Sequence, residues 1–181
     1  VLCIILLLIY LKASHNKERY YALTDLLTGI PNRRAAIEHL EKLIKKSQYG
    51  KFQTTICFID VNNLKIVNDT FGHREGDNLL SALCRLIQPK LRSVDMLCRF
   101  AGDEFLIIFS DIGIEEAKSI LNEITKCITE YNHSNNNAYE ISFSYGFSEY
   151  NPDEYKSIDD LIDKADNAMY QSKVKSRQLN N

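Results

Sequence analysis

The hydrophobic pattern divides the chain into three kinds of segment. Val1 to Leu11 is an almost unbroken apolar run (VLCIILLLIYL), followed by Lys12, Lys17 and Arg19. Four later stretches repeat apolar residues every three or four positions, as helices with one buried face do. They carry Ile37, Leu40 and Ile44; Leu79, Leu80, Leu83, Leu86 and Ile87; Ala117, Ile120, Leu121, Ile124, Cys127, Ile128 and Tyr131; and Ile158, Leu161, Ile162, Ala165, Ala168 and Met169. Between them lie short runs of β character. Thr54 to Ile59 ends in four consecutive apolar residues, which fits a central strand buried on both faces. Met96 to Cys98 and Phe105 to Phe109 flank a Gly-containing break and read as a hairpin. Ile141, Phe143, Tyr145 and Phe147 alternate with Ser142, Ser144 and Gly146, which reads as a half-buried strand.

Local breakers set the boundaries. Gly29 and Pro31 interrupt the chain, and Asn32 is placed to cap the helix that ends near Tyr49-Gly50. A short helix from Asn63 to Phe71 precedes an expected turn, Gly72 to Asp77, and Pro89 lies near the end of the next helix. Asn132 to Asn137 reads as a loop, while Ser157 to Asp160 resembles a capping box with Asp in place of Glu or Gln. A strand, helices, two hairpin strands, a helix and a strand make the β-α-β-β-α-β order of a ferredoxin-like palm. The expected fold class is therefore α+β, an α/β sandwich with a mostly antiparallel central sheet and helices on its face. In that plan the first strand lies beside the hairpin, so Asp60 at its exit approaches Asp103 and Glu104 at the hairpin tip.

Composition narrows the picture. The 181 residues suffice for one domain with a full core plus a short extra segment. A net charge of −2 leaves no basic footprint for bulk nucleic-acid binding. Five cysteines (Cys3, Cys57, Cys84, Cys98, Cys127) include no C-x-x-C pair and sit mostly in apolar runs. They read as reduced core residues, neither a disulfide framework nor a zinc site. The apolar run 1–11 is too short to span a bilayer alone, which needs about 20 residues. It is expected to be the inner end of a transmembrane helix of a longer chain, with a buried helix or a signal-peptide remnant as the other reading. The following Lys and Arg residues then put a helical connector (12–23) and the domain (24–181) in the cytoplasm.

Adjacent acids after Gly102 have two readings, a solvated turn or a metal or catalytic site. Asp60 likewise either displays chemistry at a strand exit or caps the next helix. Three carboxylates at one sheet edge repel one another unless cations neutralise them, and Mg²⁺ is a hard, oxygen-binding ion suited to that task. Two such ions fit in-line phosphoryl displacement, hence nucleotidyl transfer from a nucleoside triphosphate.

Five segments in order make a specific resemblance: DLLTGIPNRR (25–34), IDVNNLKIVNDTFGHREGD (59–77), AGDEF (101–105), SYG (144–146) and ADNAMYQSKVKSR (165–177). The chain resembles the GGDEF family of diguanylate cyclases, which join two GTP molecules into cyclic di-GMP and release two pyrophosphates. The resemblance implies that Asp60, the Val61 carbonyl, Asp103 and Glu104 hold two Mg²⁺ ions, with Mn²⁺ as a substitute. Asp103 is also implied as the group that deprotonates the attacking 3′-hydroxyl. Asn68 and Asp77 would read guanine, and Lys65, Lys173 and Arg177 would meet phosphates beside Ala101 and Gly102. Arg92 and Asp95 match an R-x-x-D site at which cyclic di-GMP inhibits its own synthesis. Turn, cap and helix-terminus roles are the alternatives for Asn68, Asp77, Lys173 and Arg177. The implied assembly is a homodimer, tethered to the bacterial inner membrane through the N-terminal helix. A catalytically weak or inactive module that senses GTP or cyclic di-GMP is the rival reading. Ala101 replaces the first Gly of the family hairpin, while Gly102, the costlier to lose if a positive φ is needed there, is kept. Asn62, Leu64 and Ser176 also depart from the pattern, and none of the three matches a metal ligand.

Overall fold

In the computed structural model, which describes residues 2–48, 52–134, 138–155 and 157–179 without the side chains at 2–4, 7, 8, 11, 13, 15, 16, 48 and 176–179, four strands form one sheet. The elements in order are α1 (Leu2–Leu23), α2 (Arg33–Gln48), β1 (Thr54–Val61), α3 (Leu64–Phe71), α4 (His73–Ile87), a 3₁₀ turn (Gln88–Lys90), β2 (Met96–Ala101), β3 (Glu104–Ser110), α5 (Ile114–Ser134), β4 (Phe143–Glu149) and α6 (Ile158–Leu179). The sheet order is β2-β3-β1-β4, all antiparallel, so β1 lies between the hairpin and β4. This is the expected α+β palm.

Helices cover both faces of the sheet. Cys57, Ile59, Phe105, Ile107 and Phe109 pack with the buried residues of α3, α4 and α5. The opposite face, including Ile56, Phe58, Leu106 and Ile108, packs with Ala36, Leu40 and Leu43 of α2 and with Leu161, Ile162, Ala165 and Met169 of α6. The continuous apolarity of β1 and β3 follows from this double burial. Cys57, Cys84 and Cys98 are buried free thiols within it, as their apolar surroundings indicated.

Several boundaries differ from the sequence reading. The chain break at 72–77 contracts to Gly72, whose φ of 90° favours glycine, and His73 to Asp77 already belong to α4. Asn132 and His133 extend α5, while 135–137 of the expected loop lie outside the described residues. On β4 the small face is the more buried: Ser144, Gly146 and Ser148 turn toward α6, and Tyr145 is exposed. Gly146 explains this inversion, because a Cβ there would come within 2.1 Å of the Met169 backbone N. Its bareness lets the helix lie against the strand. Two caps form as expected: Asn32 Oδ1 accepts from Ala35 N at 3.1 Å, and Ser157 and Asp160 bond reciprocally at 3.0 and 3.1 Å.

The membrane expectation is overturned. No helix among the described residues is long and apolar enough to cross a membrane. One helix runs from Leu2 to Leu23. Lys12, Lys17, Glu18 and Arg19 lie along it. The inner-membrane location and the membrane as a partner therefore have no support.

Candidate active site

Strand register creates the centre of the site. Asp60 pairs directly with Glu104 across β1 and β3, and Val61 N donates to Asp103 O at 3.0 Å. Asp60 thus meets the adjacent pair Asp103 and Glu104, more than 40 positions later, at one edge of the sheet. Glu104 is half-buried and its carboxyl is pushed above the usual carboxylate range, first by burial and then by the charges of Asp166, Asp103 and Asp60, against a smaller opposing effect of Arg33. Asp166 on α6 is raised for the same kind of reason: burial, then Asp163 and Asp60. The tip is an excess of negative charge.

One lysine partly offsets it. Lys173 Nζ donates to Asp60 Oδ1 at 2.5 Å, with both side chains largely shielded from solvent. Lys173 projects there because α6 packs along β4 and the end of β1. Arg177 lies one turn further on α6, but its side chain lies outside the described residues.

The donors suit a hard divalent cation. They are carboxylates and a backbone carbonyl, and their unbalanced charge favours a positive ligand. Among the described residues, however, no three His, Cys, Asp or Glu side chains are gathered closely enough to hold a metal themselves.

Of the two expected base-reading residues, one touches the other's helix neighbour. Asn68 on α3 lies against Gly76 on α4, where a Cβ would come within 2.0 Å of Asn68 Oδ1. Gly76 is therefore needed for α3 and α4 to close. Asp77 follows it, exposed, and Lys65 is exposed on α3.

Arg99 ties the hairpin to the start of the domain. Its Nη1 donates to Asp25 Oδ1 at 3.1 Å, while Nε and Nη2 both donate to the Gly102 carbonyl, at 3.0 and 2.7 Å. Asp25 Oδ1 also accepts from Thr28 N and Oγ1, at 2.9 and 2.6 Å. Burial would raise the Asp25 carboxyl, but these hydrogen bonds from Thr28 and Arg99 outweigh it and hold it below its ordinary value. Arg99 N donates to Pro31 O at 2.9 Å, so the 25–34 segment is laced to β2 through main chain as well. Arg33 stacks over Phe100 with its Cζ 4.6 Å from the ring centroid. Neither clamp residue was a candidate from sequence. The near repeat of Asp25 and Thr28 at i, i+3 was the available signal, since it is a capping-type spacing.

Arg92 and Asp95 lie 9 and 6 positions before Ala101, and Arg92 donates to the Asp95 carboxylate through N at 3.1 Å, Nε at 3.0 Å and Nη2 at 2.7 Å. Arg92 Nη2 also donates to Ser110 O at 2.7 Å, and Ser110 N donates to Asp95 Oδ1 at 3.1 Å. The Asp95 hydrogen bonds raise the Arg92 pKa above its ordinary value. Arg92 retains 38% side-chain exposure and faces a cleft of about 490 Å³ that it shares with His39, Lys46 and Phe52.

Comparison with known proteins agrees with this architecture. The family model described as "Diguanylate cyclase, GGDEF domain" matches residues 22–179. The chain is 29% identical to diguanylate cyclase DgcP of Pseudomonas aeruginosa over 170 residues, covering 92% of this chain and 25% of that protein. It is 30% identical to response regulator PleD of Caulobacter vibrioides over 171 residues, covering 93% and 37%. The chain thus spans well under half the length of these relatives. Among solved structures, the coiled coil and GGDEF domain of Caulobacter crescentus DgcB in complex with c-di-GMP superposes with a TM-score of 0.83 at 26% identity, covering 93% of this chain and 89% of that one. Diguanylate cyclase SiaD of Pseudomonas aeruginosa, in complex with its activator SiaC, gives 0.80 at 26% identity, covering 92% and 64%. With 22–179 matched and the same palm recovered in both structures, the chain belongs to the GGDEF family of diguanylate cyclase domains.

Proposed function

We propose that this chain is a working diguanylate cyclase, condensing two GTP molecules into cyclic di-GMP and two pyrophosphates. The observation that carries the proposal is the register pair Asp60–Glu104 with Asp103 beside it, an acidic edge only partly compensated by a lysine on α6. An edge serving only as a turn would not need neighbouring acids that push the Glu104 carboxyl up.

In this reading Asp60, the Val61 carbonyl, Asp103 and Glu104 hold Mg²⁺, or Mn²⁺ in its place, two ions per site. Bound there, the metal lowers the pKa of the ribose 3′-hydroxyl and neutralises charge on the phosphates. Asp103 accepts the hydroxyl proton as the oxygen bonds to the α-phosphorus of the facing GTP and the bond to pyrophosphate breaks. Lys173, Arg177 and Lys65 receive the triphosphate, so Lys173 exchanges Asp60 for phosphate when substrate enters. Asn68 and Asp77 hold guanine, the Asp accepting from the N1 and N2 hydrogens that adenine lacks as a pair. The main chain at Ala101 and Gly102 lines the phosphate side.

One domain binds one GTP, so both bonds form only when two copies face each other across a two-fold axis. Product bound at Arg92 and Asp95 restrains the enzyme, with the exposed part of the Arg92 guanidinium receiving a phosphate. The Lys173–Asp60 ion pair favours a second reading, a module that binds nucleotide without turnover, because it occupies an acid the chemistry needs. Incubating the purified chain with GTP and Mg²⁺, at concentrations that dimerise it, separates the two. Cyclic di-GMP is the expected product, and a folded dimer that binds GTP without producing it establishes the second reading.

A further inference from the structure

The segment after α5 is held to the rest of the domain at both ends. Asn132 Nδ2 donates to Ile141 O at 2.8 Å and Asn132 Oδ1 accepts from Ile141 N at 3.0 Å. Asn62, next to the metal strand, donates its N to Ser142 O at 2.9 Å. Tyr139 projects from this segment onto the first turn of α4. Its hydroxyl lies 3.0 Å from Glu75 Oε2 and 3.2 Å from Glu75 O, and its ring meets Phe71 with centroids 5.7 Å apart. The other Glu75 oxygen accepts from Asn78 Nδ2 at 3.1 Å.

Both oxygens of Glu75 are therefore taken by neutral donors, which hold its side chain toward Tyr139. Residues two apart on a helix point to different sides. With Glu75 held toward Tyr139, Asp77 is directed elsewhere and remains exposed. Gly76, between them, is the residue against which the Asn68 amide rests. We propose that Tyr139 is a positioning residue of the guanine subsite, which through Glu75 sets the orientation of Asp77 and the seat of Asn68.

This inference rests on the reading of Asn68 and Asp77 as guanine ligands. It adds a residue from a distant segment that touches no substrate itself. Burial and the hydrogen bond to Glu75 raise the Tyr139 phenol to about 12, so it stays a neutral donor throughout the working pH range. The clamp also keeps the Glu75 carboxylate turned away, leaving Asp77 as the carboxylate of this turn offered to a base.

The test uses the whole chain with Tyr139→Phe, Glu75→Ala and the double variant. Readouts are KM and kcat for GTP, the preference for GTP over ITP (which lacks the 2-amino donor), calorimetric GTP binding and Tm. Loss of one hydrogen bond, acting through Glu75, should raise KM for GTP about 5–10-fold, with kcat held within about twofold. The GTP preference should fall, and the double variant should match Glu75→Ala alone, as residues acting through one contact do. Unchanged KM and preference overturn the proposal, as do additive effects or a fall in kcat and Tm with preference intact. A wild type that binds no GTP overturns the underlying reading, whereas a GTP-binding wild type matched by Tyr139→Phe overturns the clamp alone.

Discussion

Two carboxylates at opposite ends of the same hairpin contact show how the fold treats charge. Asp25 is matched: Thr28 and Arg99 bond it, and its pKa falls below the ordinary value despite burial. Glu104 is unmatched: burial and three neighbouring acids raise it, and Arg33 offsets little. The hairpin between them is short, so Arg99 could have been spent on either. Its guanidinium goes to Asp25 and to the Gly102 carbonyl, which holds the tip in place while leaving the acids in need of a cation. A charge satisfied inside the protein builds structure; one left unsatisfied at an edge is available to a ligand.

The largest way to break this comparison is Glu104→Gln. It should lower cyclic di-GMP formation by about 10³-fold, the scale for losing a preorganised electrostatic group. Stability should move the other way, with Tm at neutral pH rising by roughly 1–3 °C. The sign follows from linkage: a raised pKa in the fold favours the protonated form, so the contribution is present below the unfolded pKa and lost as pH rises through the folded one. At neutral pH the wild-type carboxylate is thus the less stable choice, and below about pH 4 the variant and wild type should converge. A thermal melt series across pH checks it. A Tm that falls at neutral pH would show that Glu104 is matched after all.

Arg99→Ala should come next. Removing the guanidinium leaves Asp25 short of a partner and frees the Gly102 carbonyl, at a cost of about 2 kcal/mol. Tm should drop by about 4–8 °C. Activity should fall with it, because the tip loses its anchor although no acid has changed. Asp25→Asn isolates the pH-dependent part. A depressed folded pKa gives stability that is present above the unfolded pKa and is lost as pH falls through the folded value. The wild-type advantage over Asp25→Asn should therefore be full at pH 7 and shrink below about pH 4. It is the mirror image of the Glu104 series.

How far each half was legible in the sequence depends on how it is encoded. Glu104 and Asp60 were legible because strand order follows from the run of elements, and one correct pairing of β1 with β3 places both acids. Asn32 and Ser157 were legible because caps act over three residues. The Asp25–Arg99 pair joins positions 74 apart, and Tyr139–Glu75 joins positions 64 apart. No local pattern records either, since each depends on how a loop lies over the finished sheet. The turn at 72–77 was read too long because Gly72 alone supplies the backbone reversal and a glycine such as Gly76 is tolerated inside α4 for the room it gives Asn68. The face of β4 was not legible from alternation, since both sets of side chains can pack. Gly146 decides it, by admitting α6 to within van der Waals reach of the strand.

The smallest expected effect belongs to Ala101→Gly, which restores the first Gly of the family hairpin. Ala101 is exposed and pairs with Glu104 beyond a bulge in β2, so its methyl group meets no crowded protein surface. Gly102 beside it lies outside the left-handed region, and a Cβ there would find nothing within 4 Å. Neither position is strained, and the condition under which Gly102 would be the costlier loss is not met. Any cost of the Ala101 methyl must then come from substrate, where it would stand beside the phosphates. Ala101→Gly should lower KM for GTP by no more than about fourfold, the scale of burying one methyl group, with Tm unchanged or slightly lower because Gly loses more backbone entropy on folding. A tenfold gain would mean that the methyl, and not the charge balance at Asp60 and Glu104, limits entry of the nucleotide.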